Sequence, residues 1–92
     1  MSRSLVLHVK SQYFDEIGAG TKTEEYRLTT HYWKMRLTSP MLDYEKVIIC
    51  RGYPSRLDLA NRLERPWKGC TVKTITHPHF GPLPVEVFAI TL

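Results

Sequence analysis

Long apolar runs are missing from this chain. None exceeds the four residues of Val47-Ile48-Ile49-Cys50, far short of the roughly 20 that a helical membrane span requires. Cysteine is scarce, with Cys50 and Cys70 alone, and both sit in apolar, strand-like contexts. They read as reduced core residues rather than as a disulfide framework. The opening MSRSLVLHVK lacks a hydrophobic segment of signal length and a small-residue cleavage site. The expectation is therefore an unexported, cytoplasmic domain with no membrane partner. No GxGxxG, phosphate-binding P-loop, CxxC or HExxH occurs, so no cofactor and no metal are implied. Internal repeats, low-complexity tracts and linkers are also missing, which leaves one domain over residues 1–92.

What is present is ordinary globular composition. The 92 residues are 42% hydrophobic and 24% charged, which argues against disorder. A chain this short buries about two-thirds of its unfolded surface, so its core is small. Thirteen basic against nine acidic residues leave a net charge of +4. That surplus suits an anionic partner without requiring one.

Leu5, Leu7 and Val9 alternate with His8 and predict a first strand. Ser11 is placed to cap a helix over 11–18, with Tyr13, Phe14 and Ile17 on one side and Gly18 and Gly20 ending it. Residues 22–28 predict a second strand, with Lys22, Glu24, Tyr26 and Leu28 on one face and Thr23, Glu25 and Arg27 on the other. Thr29 or Thr30 can cap a second helix reaching Leu37, anchored by Trp33 and Leu37. Residues 45–50 predict a central, buried strand, followed by a turn at 51–54. Ser55 and Asp58 resemble the start of a third helix through Leu59, Ala60 and Leu63, ended by Pro66. Residues 70–76 and 85–92 predict two last strands around the proline-rich loop His77 to Pro84. This order is too mixed for a bundle and too short for a doubly wound sheet. It fits an α+β fold: a small, curved, largely antiparallel sheet or barrel with helices at its rim.

Three features can carry chemistry. In the stretch from Gly20 to Arg27, Lys22 starts a strand and Glu25 and Arg27 share a face. Arg27 offers a fork of donors and Glu25 an acceptor for exocyclic amines, as a planar polar ligand such as a base requires. The plainer reading is a solvated strand face with a weak surface pair. Second, Tyr32, Trp33, Lys34 and Arg36, then Arg51, Tyr53 and Arg56, interleave bases with aromatics, a mixture suited to single-stranded nucleic acid. The plainer reading makes Trp33 and Leu37 core anchors and leaves the charges in solvent. Third, His77 and His79 sit two apart, with His8 and His31 elsewhere. A metal site needs further ligands, and a rigid structural corner explains the pair. Cys50 and Cys70 lack a local base for nucleophilic work.

The pattern Tyr13-Phe14-x-x-Ile17-x-x-Gly20-x-Lys22-x-x-Glu25-x-Arg27, with Trp33 and Arg36-Leu37 after it, resembles the ASCH domain family, a branch of the PUA-like fold. The G-x-K-x-x-E-x-R signature is matched at all four positions. The later Gly52-Tyr53, Arg65-Pro66-Trp67-x-Gly69 and the closing 85–90 strand resemble small single-domain members from bacteria and their phages. The resemblance implies a PUA-like barrel of about five or six strands with two or three short helices at its rim. It also implies a basic cleft for RNA or a nucleotide-derived ligand, with Lys22, Thr23, Glu25, Arg27, Arg36, Arg51 and Tyr53 as contact residues. In one enzymatic branch, members hydrolyse the amide of acetylated cytidine, and others are described as ribonucleases. There the resemblance makes Lys22 the catalytic amine. The branch's helping threonine is replaced by Glu25, with Thr23 nearby, and Asp58 and Glu64 are the candidates for its acid. A third reading is a protein-interaction adaptor using the His77 to Pro84 loop.

Overall fold

The computed structural model describes residues 3–38 and 43–92. The chain is an α+β fold of six strands in two three-stranded sheets, with two α-helices. In chain order these are β1 (Ser4–Val9), α1 (Ser11–Ala19), β2 (Glu24–Leu28), α2 (His31–Leu37), β3 (Lys46–Arg51), β4 (Arg62–Pro66), β5 (Cys70–Ile75) and β6 (Val85–Thr91). Short 3-10 turns occupy Leu59–Asn61 and Pro78–Phe80. No helix among the described residues is long and apolar enough to cross a membrane.

The chain divides into two compact units. The first comprises residues 3–23, 43–67 and Leu92 and holds the sheet β1-β3-β4. Strand β3 lies in the middle, parallel to β1 and antiparallel to β4. Its Val47, Ile49 and Cys50 are fully buried, as a strand with neighbours on both edges demands. On β1 the alternation holds, with Leu5, Leu7 and Val9 buried and Val6 and His8 exposed. Helix α1 buries Phe14 and Ile17 and packs on β3. It ends where Gly20 takes the left-handed conformation (φ 82°) and donates its amide toward Glu16 O and Ile17 O. Thr21 and Lys22 amides also bond Glu16 O (3.0 and 3.1 Å), so that Lys22 leaves the helix end in a fixed direction.

The second unit comprises residues 24–38 and 68–91 of the described chain and holds the antiparallel sheet β2-β6-β5. Strand β6 is central, and Val87, Phe88, Ala89 and Ile90 are buried on both faces. Register sets rows across the sheet: Glu25, Ile90 and Cys70 form one, and Arg27, Phe88 and Val72 the next. Helix α2 lies over this face, with Trp33 against Arg27 and Leu37 O within 3.9 Å of the Cys70 thiol. Thr30 caps it, as its sequence position predicts, accepting from the Trp33 amide at 3.4 Å. Thr30→Ala should cost about 0.5–1 kcal/mol, read as a lower urea midpoint, with Thr30→Ser nearly neutral.

Several expectations need correction. The third helix from Ser55 does not form: one 3-10 turn is followed directly by β4. Leu59 is 75% exposed, Ala60 is exposed as well, and the half-buried Leu63 belongs to β4, so these residues form no buried helical face. Instead residues 62–66 satisfy the second edge of β3, an obligation that local propensity does not display. Ser11 is the first helical residue rather than the cap; Lys10 precedes the helix and supplies no side-chain cap. Gly18 lies inside α1. The second strand starts at Glu24, with Lys22 and Thr23 ahead of it. Cys70 is half-buried rather than buried, and burial raises its thiol pKa.

Candidate functional site

In the second unit the signature residues Glu25 and Arg27 do point from one face, as alternation requires. They do not form a solvated pair. Glu25 is only 6% exposed and is the one buried charged residue among those described. Its Oε2 accepts from Arg27 Nη2 at 2.8 Å and its Oε1 from the Tyr26 amide at 3.2 Å. The Arg27 guanidinium also lies over the Trp33 ring, 5.1 Å from its centroid. A carboxylate on one side and an indole face on the other fix the guanidinium plane. Trp33 is thus half-buried, serving as a seat for Arg27 more than as core. On the same helix Arg36 stacks on Tyr32 at 3.5 Å, one helical turn back.

The first unit carries a comparable arrangement. Lys22 Nζ lies over the Tyr13 ring at 5.1 Å. Arg51, at the end of β3, lies over the Phe14 ring at 4.6 Å and bonds Asp15 Oδ1 at 2.7 Å. Beyond it, Tyr53 stacks on His8 with ring centroids 4.2 Å apart, and His8 Nδ1 meets Gly52 O at 2.8 Å. Tyr53 is 86% exposed, so one ring face is held by His8 and much of the rest faces solvent. Arg62 bonds Pro54 O and Ser55 O, each at 3.0 Å, and so pins the loop that presents Tyr53. Thr23 contributes its carbonyl to the Leu92 amide at 3.0 Å.

Of the seven predicted contact residues, Lys22, Thr23, Arg51 and Tyr53 belong to the first unit, and Glu25, Arg27 and Arg36 to the second. Sequence reasoning missed the ring seats Tyr13, Phe14 and His8. Only the Tyr32–Arg36 pair announces itself, through its helical spacing. It also missed Glu24, whose carboxylate bonds Tyr26 Oη (3.1 Å) and Lys73 Nζ (2.8 and 3.0 Å). The histidines of the 77–84 loop form a corner: His77 Nδ1 accepts from the His79 amide at 3.1 Å, and Phe80 packs near both rings.

The Glu24 cluster has a pH signature. Burial, the hydrogen bond to Glu24 and that carboxylate's charge raise the Tyr26 phenol above its ordinary 10.0. The hydrogen bond to Glu24 raises Lys73 above 10.5. Both groups bind their protons more tightly when folded, so their contribution is complete below about pH 10 and fades as pH rises through the elevated values. Stability should therefore fall on the alkaline side, and Glu24→Gln should flatten that slope. Urea midpoints across alkaline pH check this; an unchanged slope in the variant refutes it.

No protein-family model, curated protein or solved structure matches this chain.

Proposed function

We propose that the chain binds RNA or a nucleotide-derived ligand through basic side chains seated on aromatic rings. The observation that carries this reading is the buried Glu25 holding Arg27 against Trp33. Burying a carboxylate to brace an arginine adds little stability compared with an apolar pair. It does fix a guanidinium before a ligand arrives, which lowers the ordering cost of recognition. Arg27 keeps 21% of its side chain exposed, so a ligand phosphate or carbonyl oxygen can reach it. Glu25 then acts as a positioning residue, since both its oxygens already accept hydrogen bonds. In the same unit Arg36 adds charge; the first unit carries a set of its own, in which Lys22 and Arg51 supply charge and Tyr53 a stacking face. The resemblance to the ASCH signature supports the same reading, together with a PUA-like barrel.

The test is an NMR titration with single-stranded RNA, cytidine and acetylated cytidine, following both shifts and product. Shifts at Arg27, Trp33 and Lys22 without product are the expected result. Arg36→Ala should weaken RNA binding and lower its salt dependence by roughly one phosphate contact. Arg27→Lys should weaken it despite keeping the charge, because the planar fork is lost. Silence toward all three ligands at low salt refutes the proposal. Deacetylated product abolished by Lys22→Ala would replace it with the hydrolase.

A further inference from the structure

The two outer strands of the sheet β2-β6-β5 are finished differently. The Thr91 amide bonds Gly69 O at 3.1 Å, next to the pairing of Cys70 with Ile90. Antiparallel ladders alternate, so Thr71, Lys73 and Ile75 turn their backbone groups toward β6. Cys70, Val72 and Thr74 turn theirs away. The Leu92 amide on Thr23 O sets the opposite edge in the same way, leaving Glu24, Tyr26 and Leu28 of β2 facing outward. That edge is closed by its own neighbours: the Tyr26 amide bonds Glu25 Oε1, and Leu28 O accepts the Thr30 amide at 2.8 Å. Among the described residues nothing comparable occupies the outward amides and carbonyls of β5.

Strand β5 also lacks the usual devices that discourage pairing. It has no proline and no bulge, its six-residue register is continuous, and it is rich in β-branched residues. From Thr71 to Thr74 it is exposed on both faces, with Val72 at 57%. Its one charge, Lys73, is neutralised by Glu24.

We infer that β5 pairs antiparallel with β5 of a second copy of this chain across a two-fold axis at Val72, joining two three-stranded sheets into one of six. Only that register uses all the outward-facing residues: Val72 meets Val72, and Cys70 meets Thr74 on both sides of the axis. It places Lys73 opposite Thr71, so no like charges face each other. A register centred on Lys73 sets two lysines opposite each other and loses the Cys70 bonds. The sequence of β5 thus complements itself, which selects a second copy over an unrelated strand. A six-residue pairing is smaller than a standard protein interface, so association should be concentration-dependent, with a dissociation constant of about micromolar or weaker.

Sedimentation equilibrium of the full chain over a wide concentration range tests this. The expected result is a monomer–dimer equilibrium. Val72→Pro removes the two central hydrogen bonds without touching the β6 side of the ladder, and should weaken the dimer by roughly 10- to 100-fold. Val72→Lys, which sets like charges on the axis, should weaken it as well, with circular dichroism confirming that each variant folds. Directly opposed residues in such a pair have Cα atoms about 5.5 Å apart, within disulfide range. Val72→Cys should therefore cross-link under mild oxidation far more than Lys73→Cys. A monomer at every concentration overturns the inference. So does a dimer indifferent to Val72→Lys, or equal cross-linking at both positions.

Discussion

Glu25→Ala is expected to lower the unfolding free energy by about 3–5 kcal/mol, because it strands the Arg27 guanidinium beside an apolar sheet face. Glu25 shares its row with Ile90 and Cys70, and Arg27 shares the next with Phe88 and Val72. The carboxylate is nearly sealed from water, at 8% side-chain exposure, so solvent cannot replace it as a partner. The Tyr26 amide loses an acceptor in the same step. Glu25→Gln keeps an acceptor for that amide and should cost less, about 1–3 kcal/mol. The double variant Glu25→Leu with Arg27→Met should recover much of the loss, since an apolar pair suits this face at least as well. That variant separates the two roles of the pair. Near-native stability together with lost RNA binding is the outcome the proposed function requires. A cost for Glu25→Ala within about 0.5 kcal/mol would mean the pair behaves as a surface salt bridge.

Much of the fold is readable in the chain because the signals are local. Alternation at Leu5, Leu7 and Val9, the unbroken apolar core of β3, the Thr30 cap and Gly20 each act within a few residues. Strand β4 is unreadable for the opposite reason. Residues 62–66 become a strand because β3 needs an antiparallel partner, and a neighbour distant in sequence creates that need. Leu59, Ala60 and Leu63 reinforce the false helical reading, since their i, i+1, i+4 spacing mimics one helical face, yet Leu59 and Ala60 lie exposed and the half-buried Leu63 is a strand residue. The site divides in the same way. Glu25 and Arg27 are legible as a pair because alternation sets them on one face, but their burial depends on α2 and β6. The Arg36 seat on Tyr32 follows from helical spacing. The seats of Lys22 on Tyr13 and Arg51 on Phe14 depend on how α1 packs on β3, which no spacing rule reports.

Ile49→Ala should be the most damaging single change in the first unit, costing about 2–5 kcal/mol against about 0.5–1.5 kcal/mol for Ile49→Val. Ile49 sits mid-strand in β3, opposite Leu7 on one side and Leu63 on the other, and is wholly inaccessible. Truncation there leaves a void between two ladders whose backbone hydrogen bonds resist collapse into it. For a small domain whose total stability is about 5–10 kcal/mol, such a loss is a large fraction. The consequence extends to recognition, because β3 delivers Arg51 to Asp15 and Phe14 and leads into the loop that Arg62 pins under Tyr53. Urea unfolding should show the order Ile49→Ala well below Ile49→Val, which lies close to the parent chain. RNA affinity at a temperature where all three remain folded should change much less than stability does, since none of the contact side chains is altered. A cost for Ile49→Ala no greater than that for Ile49→Val would mean the space between β1 and β4 closes freely. Strand β3 would then not be the rigid centre from which Arg51 and Tyr53 are presented.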